Sequence, residues 1–240
     1  MEIADLVGEL ERDLRTAGDP ARAAGAKAYL KSDLAFIGVA AKPLREVARS
    51  FLGCYPDLGR DRLAELVLSL WECPVFELRA VAVALLERSV KMLGSDDLEL
   101  VENLLRRSHT WALVDWLCTK VAAPLVERNP VVLRPTLCRW SSDGDFWLRR
   151  ASMLTQLPAL RAGGGDFELF ASFAAGMLDE REFFIRKAIG WVLRDVSKKR
   201  PELAYAFLDR HIGEVSGLTL REGAKYLPEE QVRALCRGRD

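Results

Sequence analysis

Phe183 to Arg200 reads FFIRKAIGWVLRDVSKKR, and its spacing decides how the rest of the chain is read. Ile185, Ala188, Ile189, Val192, Leu193 and Val196 recur at steps of three and four, the apolar stripe of a helix that packs along one side. On the other side Lys187, Trp191, Arg194 and Lys198 follow at intervals of four, three and four. The segment predicts an amphipathic helix with one unusual feature, an indole set among cations. Such a face suits an anionic polymer, because cations neutralise phosphate and a flat ring covers a sugar or base. An ordinary packing helix with a half-buried Trp191 explains the same pattern, and this segment alone does not separate the two.

The same period runs outward in both directions, and no segment sustains strand alternation. Helices are expected near 2–17, 20–31, 43–53, 60–72, 75–93, 96–107, 110–127, 130–141, 145–158, 166–178, 181–198, 201–211, 217–226 and 228–236. Their starts are marked by proline where its missing N–H costs nothing, at Pro20, Pro43, Pro74, Pro130 and Pro201. Gly163-Gly164-Gly165 is the clearest joint, closed by Asp166 as the next cap. Pro124 and Pro135 fall inside expected helices and predict kinks or earlier ends. A helix pair about every 35–40 residues is the length of HEAT-type or armadillo-type repeats. The expected fold is all-α, an α-solenoid of HEAT-like antiparallel helix pairs, in which corresponding positions line one concave face. A compact irregular helical bundle is the alternative. No linker interrupts residues 1–240, so one domain is expected.

Composition narrows the function classes. Half of the 240 residues are apolar and 29% are charged, which excludes a disordered chain. No apolar run is long enough to span a bilayer, and the acidic N-terminus is wrong for a secretion signal, so a cytoplasmic protein is expected, in a bacterial cell sharing the compartment of the nucleoid. Five scattered cysteines without a CxxC pair read as small buried hydrophobes. Two histidines leave little for zinc, and neither metal nor cofactor is expected. The formal net charge is zero, yet residues 1–20 carry six acidic against two basic side chains, and residues 181–200 seven basic against two acidic. A neutral total hides a basic face.

Two further segments carry candidate chemistry. In Thr110-Trp111-Ala112-Leu113-Val114-Asp115, Trp111 and Asp115 share one helical face, while Leu113, Val114, Leu117 and Val121 pack. In Asp145-Phe146-Trp147-Leu148-Arg149-Arg150-Ala151, the stripe Leu148, Ala151, Leu154 and Leu157 leaves Trp147 and Arg150 beside it. The plain reading has Asp115 bonded to a neighbouring helix, Trp111 in the core and the arginines in solvent.

Together TWALVD, FWLRRA and REFFIRKAIGWVLRD resemble the signature segments of the AlkD family of DNA alkylation-repair glycosylases. The run from Ala28-Tyr29-Leu30-Lys31-Ser32 to Phe36-Ile37-Gly38-Val39, followed by Pro43 and Arg45, is similar to that family's N-terminal segment. The likeness spans roughly residues 25–200. It implies a catalytic aspartate at Asp115, active-site tryptophans at Trp111 and Trp191, and a DNA-contacting arginine at Arg150. Tyr29, Trp147, Arg149, Lys187, Arg194 and Lys198 are the further candidate DNA contacts. The implied activity is a DNA glycosylase of base excision repair that hydrolyses the N-glycosidic bond of N3- or N7-alkylated purines, and it is expected to be monofunctional because no lysine sits in the motif set as an obvious Schiff-base nucleophile. Its implied partner is double-stranded DNA containing those purines, read without base flipping; a monomer is expected because a solenoid gripping DNA needs no partner. One departure stands out, since a family member would be expected to be basic overall and this chain is neutral. The other classes open to the sequence are a non-catalytic DNA-binding paralogue for damaged or branched DNA, and a helical-repeat protein-interaction scaffold.

Overall fold

Residues 2–238 are described by the computed structural model, so the extreme ends of the expected 1–240 domain lie outside it. Every regular element among them is helical; Ala35 and Val75 form an isolated bridge. The contacts divide the chain into two compact units, one ending at Leu125 and one beginning at Val126.

The first unit contains α1 (Ile3–Thr16), α2 (Pro20–Leu30), α3 (Ala41–Cys54), α4 (Arg60–Glu72), α5 (Phe76–Arg88), α6 (Asp97–Arg106) and α7 (Trp111–Leu117). Its centre is α5, whose AVAVALL run is apolar all round and buries every position from Ala80 to Leu86. Helices α3, α4 and α7 pack against it, and α1 lies across α3 and α4. Glu77 is the exception in that core. Its buried carboxylate accepts the backbone N–H groups of Ile37 at 2.8 Å, Gly38 at 2.7 Å and Val39 at 3.3 Å. Three donors to one carboxylate offset its desolvation and pin the loop after α2. Gly38 is required there: its φ is +86°, and a Cβ would fall 2.0 Å from the Asp19 carbonyl oxygen. Helix α2 itself buries no side chain; Asp19 caps it, accepting from Ala21 N at 2.9 Å.

The expected helix over 110–127 is three pieces. After α7 the chain makes a π-helical turn, Cys118–Ala122, and resumes as α8 (Ala123–Arg128), which straddles the unit boundary. Pro124 is the cause, because it cannot donate to the carbonyl four residues back and the wider turn absorbs the mismatch.

The second unit contains α9 (Pro130–Ser141), α10 (Phe146–Leu154), α11 (Leu157–Arg161), α12 (Phe167–Ala175), α13 (Phe183–Val196), α14 (Pro201–Arg210), α15 (Gly217–Gly223) and α16 (Glu229–Arg237). The expected 145–158 helix is divided because Pro158 restarts it as α11. Here α13 is the centre, packed by α10, α11, α14 and α15. All six residues of its expected apolar stripe are buried. Gly190 permits the close crossing of α15, where a Cβ would meet Glu222 Cβ at 2.7 Å.

The cysteines depart from expectation. Only Cys118 is buried, while Cys54, Cys138 and Cys236 are exposed and all five are free thiols. Cys54 ends α3, Cys236 lies in the last turn of α16 and Cys138 faces outward from α9, so small size did not draw them into the core. No described helix is long and apolar enough to cross a membrane.

Candidate functional site

In the first unit α7 presents the Trp111–Asp115 pair. Leu113, Val114 and Leu117 are buried on its packing side, which leaves Trp111 and Asp115, one turn apart, half-buried together. The Asp115 carbonyl oxygen accepts the Thr119 hydroxyl at 2.7 Å. Tyr29, at the end of α2, meets Trp111 edge to face with centroids 5.8 Å apart and is itself 73% exposed. The three aromatic and acidic side chains therefore share one patch. His109 precedes α7 with φ +49°, a left-handed conformation costly for a residue with a Cβ.

Trp116 faces elsewhere. Its Nε1 donates to Glu87 Oε2 at 2.8 Å, and the Arg45 guanidinium lies 4.6 Å from its ring centre. Arg45 and Glu87 approach at 3.7 Å, closing the triad.

In the second unit the candidates divide between interior and surface. Trp147 is buried against Phe146 and Phe184, with centroids 4.4 and 4.9 Å away. Arg150 is 2% exposed; its Nη1 donates to the Phe184 carbonyl and its guanidinium lies 5.8 Å from that ring. Arg149 is held in a bidentate pair with Glu180, both contacts 2.8 Å, and donates to the Asp143 carbonyl at 2.6 Å. Trp147 and Arg150 are thus interior residues joining α10 to α13, and Arg149 fastens the Glu180 loop.

The cations of α13 have partners. Glu222 of α15 accepts from Lys187 Nζ at 2.7 Å and from Arg194 Nη1 at 2.5 Å. The Lys187 hydrogen bond is the main reason that the Glu222 carboxyl is held below its ordinary range. Lys198 Nζ lies 2.6 Å from Asp195 Oδ1 and 5.0 Å from the Tyr226 ring centre. Trp191 is half-buried, and its Nε1 donates to Asp195 Oδ2 at 3.1 Å.

Two carboxylates that organise this surface, Asp195 and Glu222, were not among the sequence candidates. Glu222 carries no local signal, since it lies 35 residues beyond Lys187. Asp195 does carry one: Trp191-Val-Leu-Arg-Asp195 repeats the W-x-x-x-D spacing of Trp111-Ala-Leu-Val-Asp115. Among the described residues no cluster of three His, Cys, Asp or Glu is arranged for a metal.

A family model described as DNA alkylation repair enzyme matches residues 10–227. No curated protein matches the chain. Among solved structures, a predicted DNA alkylation repair enzyme from Enterococcus faecalis superposes with a TM-score of 0.80 at 24% identity, covering 88% of this chain and 97% of that one. AlkD2 from Streptococcus mutans gives 0.66 at 17% identity, covering 94% and 99%. The smu.31 protein of Streptococcus mutans gives 0.60 at 18% identity, covering 78% and 92%. At these identities the structural likeness shows a shared all-α helical-repeat fold.

Proposed function

The chain belongs to the DNA alkylation repair enzyme family, and from that premise we propose that it is a monofunctional glycosylase releasing cationic N3- or N7-alkylated purines from duplex DNA. The observation that carries the reading is the patch on α7, where a half-buried carboxylate and an indole stand one turn apart beside an exposed tyrosine.

The chemistry asks for those groups. Alkylation gives the purine a positive charge and makes it a good leaving group. As the C1′–N bond breaks, its electron pair returns to the base and positive charge develops on the deoxyribose. The Asp115 carboxylate stabilises that charge and takes the proton of the water whose oxygen bonds C1′. The products are free alkylpurine and an abasic site. The indole face of Trp111 attracts the same cationic sugar, and Trp191 offers DNA a second indole face. Because the lesion supplies the leaving-group ability, no base pocket and no extrusion are needed, in contrast with most glycosylases. The protein acts on DNA as a monomer, without cofactor, in the cytoplasm.

Backbone holding falls to Tyr29 and the α13 cations. Lys187, Arg194 and Lys198 reach phosphate by exchanging a carboxylate oxygen for a phosphate oxygen. Arg150 reaches DNA only if its bond to the Phe184 carbonyl opens; otherwise it positions α13 from within.

Duplex DNA carrying N7-methylguanine provides the test, with free base measured for wild type and Asp115→Asn. We expect release by wild type and a loss of about 10²–10³-fold in the variant. Undiminished release by Asp115→Asn sinks the role of that carboxylate. Salt-dependent binding without release identifies a non-catalytic DNA-binding paralogue, and absence of binding a protein scaffold.

A further inference from the structure

The two W-x-x-x-D segments look alike in sequence and differ in burial. Asp115 is half-buried, whereas the Asp195 side chain is 2% exposed and enclosed by donors. Arg161, at the end of α11, places Nε 2.8 Å and Nη2 2.6 Å from Asp195 Oδ2. Lys198, just after α13, places Nζ 2.6 Å from Oδ1. Trp191 Nε1 completes the set at 3.1 Å. A carboxylate surrounded in this way is removed from reaction chemistry, because its lone pairs are engaged and water is excluded.

From this geometry we propose that Asp195 is the positioning residue for Trp191, fixing the indole plane through Nε1 and tying it to Arg161 and Lys198 as one rigid group. The proposal rests on the glycosylase reading and deepens it. A clamp between α11 and α13 requires only the carboxylate and Arg161; the indole N–H is an additional donor to the same oxygen. An indole has two side-chain torsions, so anchoring its N–H to a group that is itself held from two sides leaves one ring orientation. The hydrogen bond to an anion also enriches the ring in electron density and strengthens its attraction for a sugar cation. Arg161 and Lys198 remain 52% and 44% exposed, so each keeps donors for phosphate while its carboxylate contact persists. Arg161 thereby joins the DNA-contacting set, and the spacing between ring and phosphate grips is set by one buried carboxylate.

A double-mutant cycle tests the assignment, with single-turnover release of N7-methylguanine measured for wild type, Asp195→Asn, Trp191→Phe and the double variant. The six tryptophan indole N–H resonances are recorded alongside, Trp191 being identified by its loss in Trp191→Phe. Asp195→Asn should move that resonance upfield and slow release about tenfold or more, while costing nothing further in the Trp191→Phe background. Additive losses in the cycle, or an unmoved Trp191 resonance, overturn the proposal. Wild-type release by Trp191→Phe would instead show that the indole has no part in base release, while the resonance still reports whether Asp195 holds it. If Asp195→Asn does not fold, Arg161→Gln, which loosens the clamp but keeps the carboxylate, should shift the same resonance, and failure to do so overturns the proposal.

Discussion

Glu222 is the carboxylate to remove if the cations of α13 meet DNA. It holds Lys187 at 2.7 Å and Arg194 at 2.5 Å, with all three side chains between one-fifth and one-third exposed. In Glu222→Gln both cations lose their resident anion and no longer exchange it for phosphate. Partly exposed pairs contribute about 0.5–1 kcal/mol each, so relief of two raises duplex affinity by about 1–2 kcal/mol, roughly five- to thirtyfold. If wild-type binding leaves either cation on Glu222, the variant also gains phosphate contacts. Two of them steepen the dependence of log K on log salt by up to about 1.8. The same change costs stability, about 1–2 kcal/mol, because α15 loses its two ion pairs to α13 and keeps only the Thr219 hydroxyl on the Arg186 carbonyl, and Tm falls by roughly 2–8 °C. Fluorescence anisotropy of a labelled duplex, taken between about 50 and 200 mM salt, reads both affinity and slope. A less stable variant with unchanged affinity and slope refutes the assignment, since the pairs would then serve only to join two helices.

Gly190→Ala places a methyl carbon 2.7 Å from Glu222 Cβ, and the resulting strain exceeds the gain in helix propensity by about 1–2 kcal/mol; a rise in thermal midpoint would show that α15 relaxes freely. Arg150→Met removes the charged donor to the Phe184 carbonyl and should cost about 1–3 kcal/mol in denaturant melts, more than a solvated arginine contributes. Tyr55 donates to Glu9, and that bond together with burial and nearby negative charge pushes its phenol up to about 12, so a Tyr55→Phe variant loses the step near pH 12 of an ultraviolet pH titration. Stability from that raised group is complete below its unfolded value near 10 and drains as pH rises toward about 12. Burial alone would push the Asp195 carboxyl up, but hydrogen bonds from Lys198 and Arg161 outweigh it and hold it below its ordinary range. Its contribution is therefore present above about pH 4 and lost as pH falls through the folded value, and Asp195→Asn should flatten the acid limb of a stability–pH curve.

Local pattern carried the helices and their packing faces, because a 3.6-residue period is written in every segment. The α13 stripe is buried at all six expected positions, and α4 and α9 span their expected residues, α9 running on through Pro135 where an earlier end or a kink was expected. Breaks inside helices were legible only as warnings: Pro124 signalled trouble without revealing a π-helical turn, and Pro158 split a helix expected to continue. Partners distant in sequence were not legible at all. Lys187 and Arg194 read as unopposed cations because Glu222 belongs to a helix that only tertiary packing delivers. Trp147 read as a surface aromatic because nothing near it in sequence announces the ring of Phe184. The W-x-x-x-D pair shows the limit best, since one spacing yields a half-buried carboxylate in one unit and a sealed one in the other.

Helix α2 buries no side chain, yet it carries the tyrosine that rests on Trp111. It is moored at its ends, by the Asp19 cap before it and by the Glu77 carboxylate gripping the loop after it. Unwinding it uncovers only the Tyr29 side of Trp111 and the part-buried Ala23, Ala26 and Leu30, so its opening draws on little of the free energy that keeps the rest of the unit folded. Its amides should exchange with solvent deuterium far sooner than those of α5, and a protease should nick it while the core stays intact. The covering over Trp111 is therefore governed by a local equilibrium, and substitutions between Ala21 and Leu30 can retune access to the indole without touching the melting temperature.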